Sequence, residues 1–325
     1  MEAFLSNDPT SHKAMRGKTK HVPVLLQEVL DNLDIQPGDT LLDGTIGGGG
    51  HTTRILEQFP SVRVIALDQD SGAITKLQET ISKQFPSPKL ELVNANFRNL
   101  DKVLEKLSIS SVDAVLLDLG LSSDQIDPST SSGQASSGQT GRGFSFQRDE
   151  PLRMTMSLDS GQINAEQILN NFSEDALEVI LRGFGEEKFS KRIAHEIVER
   201  REKKPFATTF DLRDAVLAVV PPVYKRGRIN PATRTFQAIR IAVNEELVAL
   251  EEGLEKGFKS LNPMGRMVVI SFHSLEDRIV KNFFRELARG GLAELITKHP
   301  ITPKESEVRA NPRARSAKMR VMRKL

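Results

Sequence analysis

The densest chemistry-bearing string is Leu41-Leu42-Asp43-Gly44-Thr45-Ile46-Gly47-Gly48-Gly49-Gly50-His51, an apolar run that ends in an acid and opens into consecutive glycines. Glycine lets backbone approach a ligand closely at the carboxyl end of a strand. The spacing is neither G-x-G-x-x-G nor the phosphate loop, since no Lys-Ser/Thr pair closes the run, so a diphosphate ligand is disfavoured. A tight structural turn is the competing reading. A second apolar run ends in Asp68, where an acid can accept hydrogen bonds from both hydroxyls of a ribose, as in nicotinamide and S-adenosylmethionine sites. A third ends in Asn94-Ala95-Asn96-Phe97, which offers polar groups and an aromatic face suited to adenine. Taken singly, Asp68 would serve as well as a helix cap and Phe97 as core. Taken together, the three run ends describe an adenosine pocket. At the end of a fourth run stands Asp118-Leu119-Gly120-Leu121-Ser122-Ser123, where open α/β sheets place their reacting centre. Position 124 is Asp, so the nucleophile elbow G-x-S-x-G is not completed and serine hydrolysis is disfavoured. His273, in Ser271-Phe272-His273-Ser274, either faces a substrate or, as a buried hydrogen-bonded ring, only fixes a strand end.

Those residues must be held by a sheet. Apolar runs at 40–42, 62–67, 90–93 and 112–117 alternate with stretches at helical spacing, which reads as β-α-β-α-β, and their unbroken apolar character suits parallel strands covered on both faces. The fold class is therefore α/β, a doubly wound, Rossmann-like sheet. A fifth strand is expected at 267–270, introduced by the turn Asn262-Pro263-Met264-Gly265 and preceded by one long amphipathic helix marked by Phe236, Ile239, Val243, Leu247, Leu250, Leu254 and Phe258. More than 100 residues without a convincing strand separate the fourth and fifth strands, which calls for an inserted helical domain; Phe189, Ile193 and Ile197 mark one of its helices. The expected division is a flexible extension at 1–20, the sheet domain at 21–127 and 233–325, and the loop and helical insert at 128–232. The insert opens with a Ser/Gly/Gln-rich tract at 129–141 that cannot bury a core and is expected to be a flexible loop.

Several strings in this chain closely resemble the bacterial 16S ribosomal RNA cytosine-N4 methyltransferase family: His21-Val22-Pro23-Val24-Leu25-Leu26, the glycine loop through His51, Asp118-Leu119-Gly120 with Ser122-Ser123, Arg142-Gly143-Phe144-Ser145-Phe146, Gly185-Glu186-Glu187, Thr233-Arg234-Thr235-Phe236-Gln237-Ala238, Ser271 through Arg278, and Asn311-Pro312-Arg313-Ala314-Arg315-Ser316. They recur in the same order from His21 to the C-terminus. The resemblance implies a class I S-adenosylmethionine-dependent methyltransferase sheet with an inserted helical domain for substrate. It also implies methylation of the exocyclic amine of a cytidine in the decoding centre of small-subunit RNA. By position, cofactor contacts carry over to Gly49, Gly50 and His51, to Asp68 on the ribose, Phe97 near adenine, and Asp118 and Gln125 near the methionine end. Three departures stand out: Asp124 in place of the family's Pro, the lengthened loop before Arg142, and Pro151-Leu152-Arg153-Met154-Thr155-Met156-Ser157 in place of a segment with two aspartates and an arginine.

Cytosine N4 has its lone pair delocalised into the ring, so an enzyme needs an acceptor for the amine protons and in-line placement of the methyl donor. Asp118 is the first candidate, as cofactor anchor or proton acceptor, and His273 the second. With no cysteine among 325 residues, carbon-5 methylation by thiolate addition, disulfides and thiolate metal sites are all excluded. His195-Glu196-Ile197-Val198-Glu199 lacks the second His of a zinc protease motif and the six histidines are scattered, so no metal is expected. A net charge of +2 decides nothing about partners, but Arg313, Arg315, Lys318, Arg320, Arg323 and Lys324 form an acid-free basic tail suited to RNA phosphates or simply to solvent. Lys225, Arg226 and Arg228 beside Tyr224 form a second basic cluster in an expected loop. With one Tyr and no Trp, extensive base stacking is disfavoured, and recognition should rest on shape and one base drawn from its stack. The expected partner is small-subunit ribosomal RNA within an assembled small subunit; monomer and homodimer both stay open. No apolar run approaches the ~18–20 residues of a membrane span and the start lacks a signal-peptide core, so a soluble cytoplasmic protein is expected. Two other readings remain: a non-catalytic RNA-binding assembly protein that kept the fold, and a nicotinamide-dependent oxidoreductase that shares Asp68 but lacks the glycine spacing.

Overall fold

The computed structural model describes residues 23–85, 87–120, 141–157, 161–227 and 229–325. The extension at 1–20, most of the Ser/Gly/Gln tract, and Ser122, Ser123, Asp124, Gln125 and Arg228 lie outside them.

The expected strands form as β1 (Thr40–Asp43), β2 (Arg63–Asp68), β3 (Leu90–Asn94) and β4 (Val112–Asp118). Between them run α2 (Gly50–Gln58), α3 (Ser71–Gln84) and α4 (Leu100–Lys106), with α1 (Leu26–Leu33) ahead of β1. These strands pair in parallel, with β1 central between β2 and β4. Alternate residues of each strand enter opposite cores, as the period of two demands. Leu41, Val64, Ala66, Ala114 and Leu116 pack with α1, α2 and α3, while Leu42, Ile65, Leu67, Val115 and Leu117 pack on the other face. Both faces are covered, and this is why the runs read as continuously apolar.

The second half differs from the sequence reading in three ways. The fifth strand, β5 (Leu261–Ser271), is longer than expected. The segment read as a turn lies inside it, as an irregularity between Val112↔Leu261 and Ala114↔Arg266, with Met264 at φ 69°. The single long helix is two, α10 (Ala232–Asn244) and α11 (Glu246–Ser260), broken at Glu245 with φ 49°. Apolar spacing runs through the break and hides it. What holds the break is tertiary: Asn244 bonds the Met154 carbonyl and the Met156 amide, and Arg240 grips Glu246 with two hydrogen bonds of 2.8 Å. Finally, the basic tail is a strand. β7 (Lys318–Lys324) lies antiparallel beside β5 and carries β6 (Ala293–Leu295) on its outer edge. Its Met319 and Val321 enter one core and Met322 the other, an alternation masked by the charges between them.

The order is β3-β2-β1-β4-β5-β7-β6, with α12 (Ser274–Arg289) following β5 and α13 (Glu305–Ala310) lying before β7. Among the described residues no strand lies between β4 and β5. That stretch folds into α5 (Ala165–Asn171), α6 (Glu174–Gly185), α7 (Ser190–Arg201), α8 (Thr209–Val219) and the short α9 (Pro222–Lys225). Together with α10 these helices enclose a separate hydrophobic cluster that includes Leu152, Leu181, Ile193, Ile197, Phe206 and Phe236. None of the described helices is long and apolar enough to cross a membrane.

Candidate active site

The carboxyl ends of β2, β1, β4 and β5 line up along one edge, and the residues singled out above converge there. After β1 the chain turns through Gly44, whose added Cβ would lie 2.5 Å from Leu117 Cδ2, and then through the glycine loop. Gly47 and Gly49 have φ of 51° and 72°, conformations that favour glycine. Gly49 also backs onto α3, where a Cβ would meet Leu77 Cδ1 at 2.3 Å, and Gly50 backs onto Pro23 at 2.5 Å. Gly48 alone faces outward, with nothing within 4 Å of a Cβ built there. Asp43 anchors the loop from below, accepting from the Thr52 hydroxyl at 2.6 Å and the Thr45 amide at 3.1 Å. Burial pushes its carboxyl up, and these hydrogen bonds, with His51 nearby, pull it back.

Asp68 ends β2. Its Oδ2 accepts from the Gly47 amide at 2.9 Å and its Oδ1 from the Asp70 amide at 2.8 Å. Each oxygen keeps a further lone pair, which leaves capacity for two hydroxyl donors. Burial raises this carboxyl from its ordinary 3.8 to about 6, against the two backbone hydrogen bonds. Phe97 follows β3 in a short turn and packs one edge on α11, where Gly253 makes room; a Cβ there would lie 2.4 Å from the ring. The ring stays half-buried.

At the end of β4, the Asp118 amide donates to the Thr45 hydroxyl at 2.6 Å, which ties the fourth strand end to the glycine loop. Asp118 Oδ2 lies 3.4 Å from Nδ1 of buried His51, whose Nε2 lies 3.1 Å from the Val24 carbonyl. Both neighbours can accept a hydrogen bond, so these surroundings favour the protonated ring of His51. Burial opposes that charge, and Asp118, Asp43 and the Val24 carbonyl outweigh it, so the His51 pKa is raised. The other oxygen, Asp118 Oδ1, is buried with no hydrogen-bond partner among the described residues. An unmet buried acceptor costs about 1–3 kcal/mol, more when charged, and at this edge it makes Oδ1 a candidate to accept from a ligand.

His273 sits elsewhere in this edge. It is the N-cap of α12; Nδ1 accepts from the Glu276 amide at 3.4 Å, and Nε2 lies 3.1 Å from Glu276 Oε1. Phe272 beside it packs against Gly120. Glu276, Glu246 and His273 place ligand-type atoms within 4.8 Å of one another, but both Glu246 oxygens are already held by Arg240.

Sequence reasoning missed the seam that joins the helical cluster to the site. Arg142 pairs with Asp70 at 2.7 Å and donates to the Met156 carbonyl at 3.0 Å. Gln69 reaches Met156 Sδ, and Glu186 takes bonds from Ser274 and Arg278 on α12. Arg142, Glu186 and Ser274 all fall in the family-like strings, which was the one available signal. The divergent segment at 151–157 belongs to this seam as well: Leu152, Met154 and Met156 are buried in the helical core, while Arg153 is exposed and Thr155 half-buried.

The basic tail is largely paired. Lys318 and Arg320 share Asp277, Arg323 binds Glu294, and Lys324 donates to the carbonyls of Phe258, Lys259 and Leu261. Arg313 and Arg315 stay exposed in a 3-10 turn. In the second basic cluster, Tyr224 is occupied with Glu187 and Phe189.

A sheet of this order, with an antiparallel seventh strand and an acid at the ends of β1, β2 and β4, defines the class I S-adenosylmethionine-dependent methyltransferases. Within that class the chain belongs to the MraW methylase family, which it matches over residues 18–325. It is 44% identical over 322 residues to "Ribosomal RNA small subunit methyltransferase H" of Heliobacterium mobile, covering 94% of this chain and 99% of the relative. It is also 44% identical over 306 residues to the protein of that name from Persephonella marina, with the same coverage. Among solved structures it resembles an rRNA methylase from Streptococcus thermophilus, with a TM-score of 0.39, 12% identity, and coverage of 92% of this chain and 93% of that one. A likeness that distant decides nothing about the chemistry.

The cofactor of the class, and of this chain, is S-adenosylmethionine. The residues present fit it: Asp68 has lone pairs for a ribose diol, and the orphaned Asp118 Oδ1 suits an ammonium donor.

Proposed function

We propose that this protein transfers a methyl group from S-adenosylmethionine to the N4 amine of a cytidine in the decoding centre of small-subunit (16S) ribosomal RNA, in the cytoplasm and on an assembled small subunit. The observation that carries the reading is the partly buried Asp118 carboxylate, with His51 against one oxygen and the other oxygen buried and unpartnered among the described residues, at the reacting edge of a methyltransferase sheet. Family membership and the names of the relatives supply the RNA; the resemblance of the sequence strings supplies the amine.

In this proposal the backbone of Gly49 and Gly50 lines the cofactor, Asp68 accepts from its ribose, and Phe97 lies beside its adenine. Asp118 and Gln125 hold the methionine end; Gln125 lies outside the described residues. When bound, the cofactor supplies an electrophilic methyl on its sulfonium. The chain's own work is placement and charge. His51 lies against Oδ2 of Asp118, which leaves Oδ1 to take an N–H from the methionine ammonium or from the incoming amine. His273 acts here through α12, as a positioning residue that fixes the helix facing the fourth strand end. Residues 128–232 form the substrate-recognition domain, with α10 (Ala232–Asn244) completing its core, on a methyltransferase domain of 21–127 and the remainder of 233–325. Its support is a core of its own and the Arg142–Asp70 and Glu186–Arg278 ties that set it over the pocket.

The test is transfer of labelled methyl from S-adenosylmethionine to small-subunit particles from cells lacking the enzyme, followed by nucleoside analysis, with Asp118→Ala as control. N4-methylcytidine should appear with the unmutated protein only. Measurable cofactor binding without transfer would overturn the reading and favour an RNA-binding assembly role.

A further inference from the structure

Along the outer edge of the sheet, α12, the end of β6 and β7 enclose a small notch lined by Lys281, Arg285, Thr297, Lys298 and Arg320 over an apolar floor of Phe284 and Leu295. Four of these side chains are cations and none is an acid. The nearest acid in contact, Asp277, is shared by Arg320 and Lys318 and cannot neutralise the rest. Lys281, Arg285 and Lys298 have no acidic partner among the described residues, and Lys281 and Arg285 sit four apart on one face of α12. A second observation is independent of charge. Thr297 Oγ1 is shut off from solvent and has no hydrogen-bond partner among the described residues. A hydroxyl left in that state among converging cations is a donor without its acceptor.

We infer that the cations around the mouth of this notch bind a phosphodiester group of the RNA substrate, with one phosphate oxygen reaching in, since the notch itself has room for about one water-sized atom. Phosphate is the chemistry that fits: it takes charge-assisted bonds from several cations at once and accepts from a hydroxyl. The location fits as well. β6 lies three strands from β4 in the order β4-β5-β7-β6. At ~4.8 Å per strand that is about 14 Å from the line of Asp118, within reach of nucleotides flanking a base held there. This inference rests on the proposed RNA substrate, and it replaces the tail as a whole by three particular cations, since most of the tail's charges are already paired.

The test uses the full chain, small-subunit particles from cells lacking the enzyme, and S-adenosylmethionine as internal control. The triple variant Lys281→Gln, Arg285→Gln, Lys298→Gln should bind the particles roughly 10- to 100-fold more weakly, with the slope of log K against log salt flatter by about 2. Its affinity for S-adenosylmethionine should stay within about twofold of the unmutated protein, since no cofactor residue is touched. Thr297→Val should weaken particle binding by roughly three- to tenfold while leaving the Tm unchanged or higher, because the hydroxyl it removes makes no bond in the free protein. A merely structural Thr297 would show the reverse, a lower Tm with binding intact. If the unmutated protein binds the particles and the triple variant binds them equally, with the same salt slope, the notch is overturned and the substrate reading stands. If the unmutated protein binds no small-subunit RNA at all, the substrate reading falls and takes the notch with it.

Discussion

At the carboxyl ends of β1, β2 and β4 the polar groups keep bonds still to be made, whereas along β7 nearly every charge already has its partner. Both stretches look functional in the sequence, one by its glycines and acids, the other as part of an acid-free tail of six cations, four of which fall on β7. In the fold, Asp118 keeps a buried, orphaned oxygen and Asp68, half-buried, keeps free lone pairs. Lys318, Arg320, Arg323 and Lys324, by contrast, close the sheet edge on Asp277, Glu294 and three carbonyls. At the candidate site it is an open acceptor at the reacting edge, rather than a local excess of charge, that offers a ligand something to bind.

The largest effect that could break this comparison is at Asp118. Asp118→Ala removes the open acceptor and leaves Nδ1 of buried His51 without its partner, so methyl transfer in single-turnover assays should fall on the order of 100- to 1000-fold; a fall of less than about tenfold would make the orphaned oxygen incidental. Next comes the glycine loop, where two neighbours should behave differently. Gly49→Ala meets both a positive φ and Leu77, and should lose about 1–3 kcal/mol in urea unfolding. Gly48→Ala enters open space and should leave the midpoint alone while weakening S-adenosylmethionine binding a few-fold, which would mark Gly48 as ligand-facing.

A third test is pH. The raised Asp68 carboxyl means that the folded protein holds this proton more tightly than the unfolded chain does. Its contribution to stability is therefore full below 3.8 and lost as pH rises through about 6. In the proposed site cofactor binding runs the opposite way, because it is the ionised carboxylate that would accept the ribose hydroxyls. Affinity for S-adenosylmethionine should be roughly tenfold weaker at pH 5 than at pH 7, and Asp68→Asn should flatten that profile in calorimetric titrations. The smallest effect belongs to the tail. Arg323→Gln breaks a half-exposed pair with Glu294 and should change stability by no more than ~1 kcal/mol and RNA binding by less than about twofold. A large loss of RNA affinity there would return the tail to the candidate interface.

Much of the architecture was readable in one dimension. The apolar runs of the first half became β1 to β4 within a residue or two: β1, β2 and β4 are buried on both faces, and β3, at the sheet edge, is half-buried and tolerates Glu91. Asp43, Asp68 and Asp118 stand where those runs end, so their shared edge follows from parallel pairing alone. The break at Glu245 was not readable, since heptad-like spacing continues across it and the turn is held by Asn244 reaching to Met154, 90 residues away in sequence. β7 was not readable either, because its lysines and arginines lie outside the core contacts that its Met and Val make.

The sequence by itself determined the class of fold, the ends of the strands and the residue types gathered there, because strand period, glycine freedom and acid position are local properties that survive in a linear chain. Only the tertiary structure decided which charges remain available. Asp277 and Arg320 meet across 43 residues, and His51 turns to Asp118 only once β1 and β4 are in register. Whether a charge is free for a ligand depends on which counter-charge the fold sets within about 4 Å of it, and that distance is fixed by pairing register and helix packing rather than by the residues on either side in the chain.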